Sequence, residues 1–362
     1  MTSDVITTPW FQPQMTGGEM NRLSQVIESG FVNDGPVTRD FEQAIATLVG
    51  TKHAVAVTSG TAAISLALMA NGVGLGDEVL VPNFTFIATA NAVTMIGANP
   101  VFVDIEDTRL AMCFEDAQAK VSKKTKAIVT VDVNGRAADY DLFEPFCAQN
   151  GLALITDSAE ALGSSYKGRK TGSFGKAGCF SFSPAKIITT GQGGMVTTND
   201  EDVYRSLLSL KDQGRPARGS GGDDPHPYLG FNFKFTDLQA AVGMAQLDKF
   251  EARVSLLKTR EKLYQAAFEG TDFLIGGTDD ELRLWIDIKV AKPKEMQNKL
   301  RTEGLDTRAF WFPITSQPPY AQASARYPNT LSVSDQGLWL PSGFDLTPNE
   351  IQKVSDLVRR FG

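Results

Sequence analysis

Lys186 lies in Ser181-Phe-Ser-Pro-Ala-Lys186-Ile-Ile-Thr-Thr-Gly-Gln-Gly-Gly194, between a strand-like run and a glycine-rich turn. A lysine held in a desolvated pocket there gives up its proton more easily and becomes a nucleophile and proton carrier. At an open strand end it would only be solvated. Asp157 follows the apolar run Leu152-Ala-Leu-Ile-Thr156, where open α/β sheets present groups to ligands. The spacing Asp157-Ser-Ala-Glu160 suits a helix cap equally well. Thr58-Ser59-Gly60-Thr61 closes one strand and opens a helix, so it can hold a phosphate at the positive helix end or simply cap the helix. Phe86, in Pro82-Asn-Phe-Thr-Phe86, can stack on a flat ring or fill core. Together the residues match what pyridoxal phosphate requires: an amine for its aldehyde, a carboxylate at its pyridine nitrogen, an anion cradle and an apolar face.

The elements that must position these groups follow from periodicity. Between about residues 50 and 200, short β-branched runs alternate with helical stretches, the pattern of an α/β domain with a mostly parallel sheet flanked by helices. Strands are expected at His53–Val57, Glu78–Val81, Pro100–Val103, Ala127–Val133, Leu152–Thr156, Gly178–Phe182 and Gly194–Thr198. Helices are expected at Thr61–Ala70, Ala88–Ile96 and Leu142–Gln149, with turn signals at Gly74–Asp77 and Asn150-Gly151. One long amphipathic stretch, Thr236–Ala267, should lead out of this domain. A boundary near residue 248 divides a large domain with an N-terminal arm (1–248) from a smaller C-terminal α+β domain (249–362). The latter contains a strand at Leu284–Val290 and helices at Lys294–Glu303 and Pro348–Arg360.

Composition narrows the function further. The 362 residues carry a net charge of -7 with no basic run, which argues against nucleic acid or an anionic membrane as partner. Three cysteines, Cys113, Cys147 and Cys179, have no paired spacing, and with only His53 and His226 as histidines a metal centre is not expected. The N-terminal Met1-Thr-Ser-Asp-Val-Ile-Thr-Thr-Pro-Trp10 has neither the basic flank nor the apolar stretch of a signal peptide, and no run is long enough to span a membrane. The expectation is a cytoplasmic protein.

Several ordered blocks resemble the DegT/DnrJ/EryC1/StrS family of sugar aminotransferases: Ser59-Gly-Thr-Ala-Ala63, Gly76-Asp-Glu-Val79, Gly97-Ala-Asn-Pro-Val-Phe-Val-Asp104, Asp157-Ser-Ala-Glu-Ala161, Gly230-Phe-Asn-Phe-Lys234 and Thr236-Asp-Leu-Gln-Ala-Ala241. The likeness runs from Gly18-Glu19 to Leu346-Thr-Pro-Asn-Glu350. It implies the type I aspartate-aminotransferase fold and pyridoxal 5′-phosphate, carried covalently by Lys186 with Asp157 at the pyridine nitrogen. It also implies phosphate contacts from Ser59, Gly60, Thr61 and Ser181, ring cover from Phe86 and Ala159, and Glu160 near the cofactor hydroxyl. Asn232 would reach the phosphate of a neighbouring subunit, so a homodimer would share its sites.

Within the family, Lys186–Asp200 is most similar to perosamine-forming members, which aminate GDP-4-keto-6-deoxymannose with glutamate for sugars of O-antigen lipopolysaccharide. A dTDP- or UDP-linked 3- or 4-keto deoxysugar is the alternative. The sugar pocket is expected at Phe31, Val32 and Asn33, the glycine-rich loop Gln213–Tyr228 with Arg215 and Arg218, and Arg308 to Trp311. Two positions near the expected sugar depart from the family. Val131-Asp-Val-Asn-Gly135 stands where relatives carry Val-His-Leu-Tyr-Gly, and Thr315 replaces a histidine. A related dehydratase class has histidine in place of Lys186, and a nicotinamide enzyme would need Gly-x-Gly-x-x-Gly where Ser59-Gly-Thr-Ala-Ala63 stands. A binding protein that keeps the fold without turnover is the non-enzymatic alternative.

Overall fold

In the computed structural model, which describes residues 6–15, 17–216, 225–322 and 326–362, the β-branched runs assemble into one sheet. Its strands are β1 (His53–Val57), β2 (Glu78–Pro82), β3 (Asn99–Val103), β4 (Thr125–Val131), β5 (Ala153–Asp157), β6 (Ala177–Ser181) and β7 (Gly194–Thr198). Their order is β1-β7-β6-β5-β4-β2-β3. Only β7 runs antiparallel to its neighbours. Val79, Leu80, Val81, Ile128 and Val129 are all fully buried, as they must be when helices cover both faces of a parallel sheet.

The covering helices are α1 (Gly18–Ser29), α2 (Pro36–Val49), α3 (Gly60–Ala70), α4 (Ala88–Met95), α5 (Phe114–Lys120), α6 (Tyr140–Asn150), α7 (Glu201–Lys211) and α8 (Asp237–Leu247). Local chemistry sets their ends. Pro36 opens α2 and Gly50 closes it in the left-handed conformation, the ordinary asymmetry of helix termini. Thr236 and Gln239 form a reciprocal capping box on α8.

The amphipathic stretch expected as one run is two helices, α8 and α9 (Phe250–Ala267), broken at Asp248-Lys249. No glycine or proline marks the break. It coincides with long-range bonds, since Arg253 donates to the Ile187 carbonyl and to Gln246. Beyond α9 a second, antiparallel sheet forms from β8 (Ile286–Lys289), β9 (Arg308–Ala309) and β10 (Gly337–Leu340), with β10 in the centre. It packs with α9, α10 (Pro293–Thr302) and α12 (Pro348–Phe361) through Tyr264, Phe268, Leu300, Val354 and Val358. Helix α11 (Pro328–Gln336) leads into β10.

The N-terminal segment crosses to this side. Thr8 bridges Leu305, and Trp10 packs on Trp285 and Trp339. Among the described residues no helix is long and apolar enough to cross a membrane.

Candidate active site

Strands β4, β5 and β6 end side by side, and α3 begins beside them, so their carboxyl ends and one positive helix end open on one cavity of about 310 Å³. Ser59, Gly60, Thr61, Phe86, Asp157, Ala159, Glu160, Ser181, Lys186, Arg308 and Trp311 line it.

The anion cradle depends on close backbone approach. The Ser59 hydroxyl caps α3 by accepting from the Ala62 N–H (3.1 Å), which leaves the first-turn N–H groups of Gly60 and Thr61 without intrahelical acceptors. A Cβ at Gly60 would come within 3.0 Å of the Ser181 Cβ, and one at Gly194 within 2.2 Å of the Ser59 carbonyl. Glycine at both positions lets β6, β7 and the start of α3 meet.

Asp157 is the last residue of β5 and 5% exposed. No helix follows, so the capping alternative does not apply. Its carboxylate accepts from the Ala159 N–H (3.2 Å), forming a local turn, and from the Thr89 hydroxyl (2.8 Å). Burial pushes its pKa up to about 6, against the Thr89 and Ala159 hydrogen bonds and the Lys186 charge. The carboxylate bonds directly to no cation among the described residues. A protonated pyridine nitrogen supplies such a partner, and the neighbouring cradle suits a phosphate, so these residues fit pyridoxal phosphate.

Lys186 is not at an open strand end: its side chain is only 12% exposed, in the turn after β6. Its Nζ lies 3.2 Å from Glu160 Oε1 and 5.3 Å from the centroid of the Trp285 ring. The other Glu160 oxygen accepts from the backbone N–H of Asn134 (3.1 Å). Arg308 reaches the cavity from β9, its guanidinium 5.0 Å from the Trp10 ring and 5.8 Å from Trp339. Trp311 packs against Phe84 and Trp339.

Other expected residues lie elsewhere. Phe31 lines a separate pocket beside α1 and α2, and Val32 and Asn33 are exposed, with the Asn33 carbonyl accepting from Asp237. Arg215 pairs with Asp212 (3.1 Å) outside the cavity, and Asn232 is exposed and bridges Asp212. Arg218 and the rest of 217–224 fall outside the described residues.

The two family departures also sit differently from the sugar contacts expected of them. The strand expected through Val133 stops at Val131, because Asn134 turns into the left-handed region (φ 49). Asp132 is fully buried, accepting from Tyr140 (2.5 Å) and Ser158 (2.6 Å), and burial pushes its pKa up to about 6. Thr315 is 2% exposed and locks Asn83 through paired bonds of 3.0 and 2.9 Å. Neither residue lines the cavity.

Among the cavity residues that sequence reasoning missed are Thr89, Gln192 and Trp285. Thr89 had a signal, since it follows Phe86 by three positions on a helix that opens beside the cavity. Trp285 had none, because it arrives from a distant strand.

The model of the DegT/DnrJ/EryC1/StrS aminotransferase family matches residues 13–359. GDP-perosamine synthase of Vibrio cholerae is 32% identical, with 98% of each chain covered. Among solved structures, a DegT DnrJ EryC1 StrS aminotransferase from Brucella abortus superposes with a TM-score of 0.89 at 28% identity, covering 95% of both chains. DesI in the presence of its TDP-sugar product gives 0.90 at 28% identity, covering 99% of this chain and 93% of that one.

Proposed function

Because the chain belongs to the DegT/DnrJ/EryC1/StrS aminotransferase family, we propose that it moves the amino group of glutamate onto GDP-4-keto-6-deoxymannose, with Lys186 as the proton carrier. The protein is a sugar nucleotide aminotransferase of type I fold, and its cofactor is pyridoxal 5′-phosphate. The observation that carries the role of Lys186 is its convergence with Asp157 and the α3 cradle on one cavity. Similarity to GDP-perosamine synthase supports the sugar.

In this reading Lys186 would hold the cofactor covalently, Asp157 would pair with its pyridine nitrogen, and Phe86 and Ala159 would cover its ring. Ser59, Gly60, Thr61 and Ser181 would hold its phosphate. The bound cofactor supplies an electron sink for the carbon that loses a proton. Lys186 Nζ would take up the Cα proton of glutamate and give it up again within the first half-reaction, and in the second it would take up a proton and deliver one to the sugar carbon. Glu160 would stabilise the ammonium whenever Lys186 carries a proton within a half-reaction. Two half-reactions give ping-pong kinetics.

Asn232 lies outside the cavity of its own chain and would complete the phosphate site of a partner subunit in a homodimer. Phe31, Asn33 and Arg215 would make their sugar contacts across the same interface, while Arg308 and Trp311 act from within. The break at Asp248 supports a division into residues 1–248 and 249–362. The three free cysteines support a cytoplasmic setting.

Purified protein incubated with glutamate and GDP-, dTDP- or UDP-linked keto sugars, with mass detection of product, tests the substrate. Amination of GDP-4-keto-6-deoxymannose alone is expected. Turnover confined to a dTDP-linked sugar transfers the assignment to the alternative, which similarity to DesI favours. A cofactor band unchanged by glutamate and no product with any sugar refute the proposal.

A further inference from the structure

Both groups that face the Lys186 amine, Glu160 and Trp285, are held by one residue. Asn134 is fully buried in the turn three residues past β4, with φ 49. Its backbone N–H donates to Glu160 Oε2 at 3.1 Å, and the other Glu160 oxygen faces Lys186. Its side chain pairs with the main chain of Trp285: the amide oxygen accepts from the Trp285 N–H (3.0 Å), and the amide nitrogen donates to the Trp285 carbonyl (2.9 Å). The same nitrogen reaches the Asp287 carboxylate at 2.8 and 2.9 Å. Asp287 is fixed in turn by Arg136 at 2.6 Å and by the Trp339 indole N–H at 2.6 Å.

We propose that Asn134 is a positioning residue that holds Glu160 and Trp285 at fixed stations around the Lys186 amine, coupling the turn past β4 to β8. Two properties of asparagine suit the task. It adopts the left-handed conformation more readily than most residues, which aims its backbone N–H at Glu160. Its amide presents a donor and an acceptor side by side, matching one residue's C=O and N–H. The inference rests on Lys186 as proton carrier, so its test separates the two ideas.

Asn134→Gly removes the lock on Trp285 but keeps the positive φ, and with it the N–H bond to Glu160. Asn134→Ala removes the lock and disfavours that φ as well. Each variant is loaded with pyridoxal phosphate. The circular-dichroism band of bound cofactor and the limiting rate of its bleaching by saturating glutamate, without sugar, are then measured per bound cofactor. The limiting rate is expected to fall at least about tenfold in Asn134→Ala and by less in Asn134→Gly, with the dichroism band shrinking in the same order. A lowered melting temperature with wild-type dichroism and wild-type limiting rate in both variants would mean a merely structural tie and would overturn the proposal. If wild-type protein holds the cofactor but glutamate does not bleach it, the donor assignment fails. The dichroism of the variants then still decides the role of Asn134.

Discussion

Gly194→Ala tests whether the cradle depends on backbone contact between β7 and the start of α3. Gly194 pairs with Val57 on one side and Ser181 on the other, so β7 cannot recede from the sheet. An added Cβ would lie 2.2 Å from the Ser59 oxygen, 2.4 Å from the Ser59 carbonyl carbon and 2.8 Å from the Gly60 nitrogen, all backbone atoms. Ordinary contact begins near 3.4 Å, so the helix start must retreat by about 1.2 Å. A retreat of that size takes N–H groups out of hydrogen-bond range of a phosphate held also by Ser181. Losing one charge-assisted bond costs about 1.5–3 kcal/mol, which weakens cofactor binding about 10- to 150-fold. Overpacking should lower apoprotein stability by about 1–3 kcal/mol. Titration of apoprotein with pyridoxal phosphate, followed by absorbance, reads the first effect, and urea unfolding reads the second. Gly191→Ala is the control: its Cβ meets nothing within 4 Å, but its φ of +78 strains any side chain. It should cost about 1 kcal/mol of stability and leave affinity nearly intact. A Gly194→Ala protein that binds the cofactor within about twofold of wild type would refute the close-contact account of the cradle.

Lys186→Ala should remain folded by far-ultraviolet dichroism yet lose turnover and the visible band of covalently held cofactor; transamination at the wild-type rate would contradict its role. Asp157→Asn should slow the donor half-reaction, because a neutral side chain no longer supports a protonated pyridine nitrogen, and near-native rates would contradict that role. The same change should stabilise the apoprotein above about pH 6. Burial raises this carboxyl from 3.8 to about 6, so the folded state binds its proton more tightly than the unfolded state, and the cost of charging it grows as pH rises through that window. The gain, up to about 3 kcal/mol near neutrality and vanishing near pH 4, can be read from urea unfolding at both ends of the range. Arg136→Met leaves Asp287 buried without its cation partner and should cost about 3–5 kcal/mol, measured by denaturant unfolding; a loss below about 1 kcal/mol would show that Asn134 and Trp339 alone sustain the carboxylate.

Lys186, Asp157 and Ser59-Gly60-Thr61 were legible because each sits where a strand turns into a loop or helix, and such switches leave marks in a few consecutive residues. Phe86 and Glu160 were legible for the same reason, as near neighbours of those marks. Trp285 was not, because its place against Lys186 is set by pairing between residues far apart in the chain, with Asn134 accepting its N–H across 151 positions. The break between α8 and α9 was hidden likewise, since apolar spacing continues through Asp248 and the turn is held by Arg253 reaching Ile187. The segment Val131–Gly135 is the instructive case. From the resemblance it is expected near the sugar. Yet Asp132 turns inward to Ser158 and Tyr140, and Asn134 turns to Trp285 and Asp287. A buried acid and a buried amide are tolerated only with their hydrogen bonds satisfied, and here those bonds grip the Asp157–Glu160 turn and the wall opposite it. On the proposal above, Asp132 and Asn134 act through the walls that hold the lysine, and any effect on substrate preference would reach the sugar through those walls.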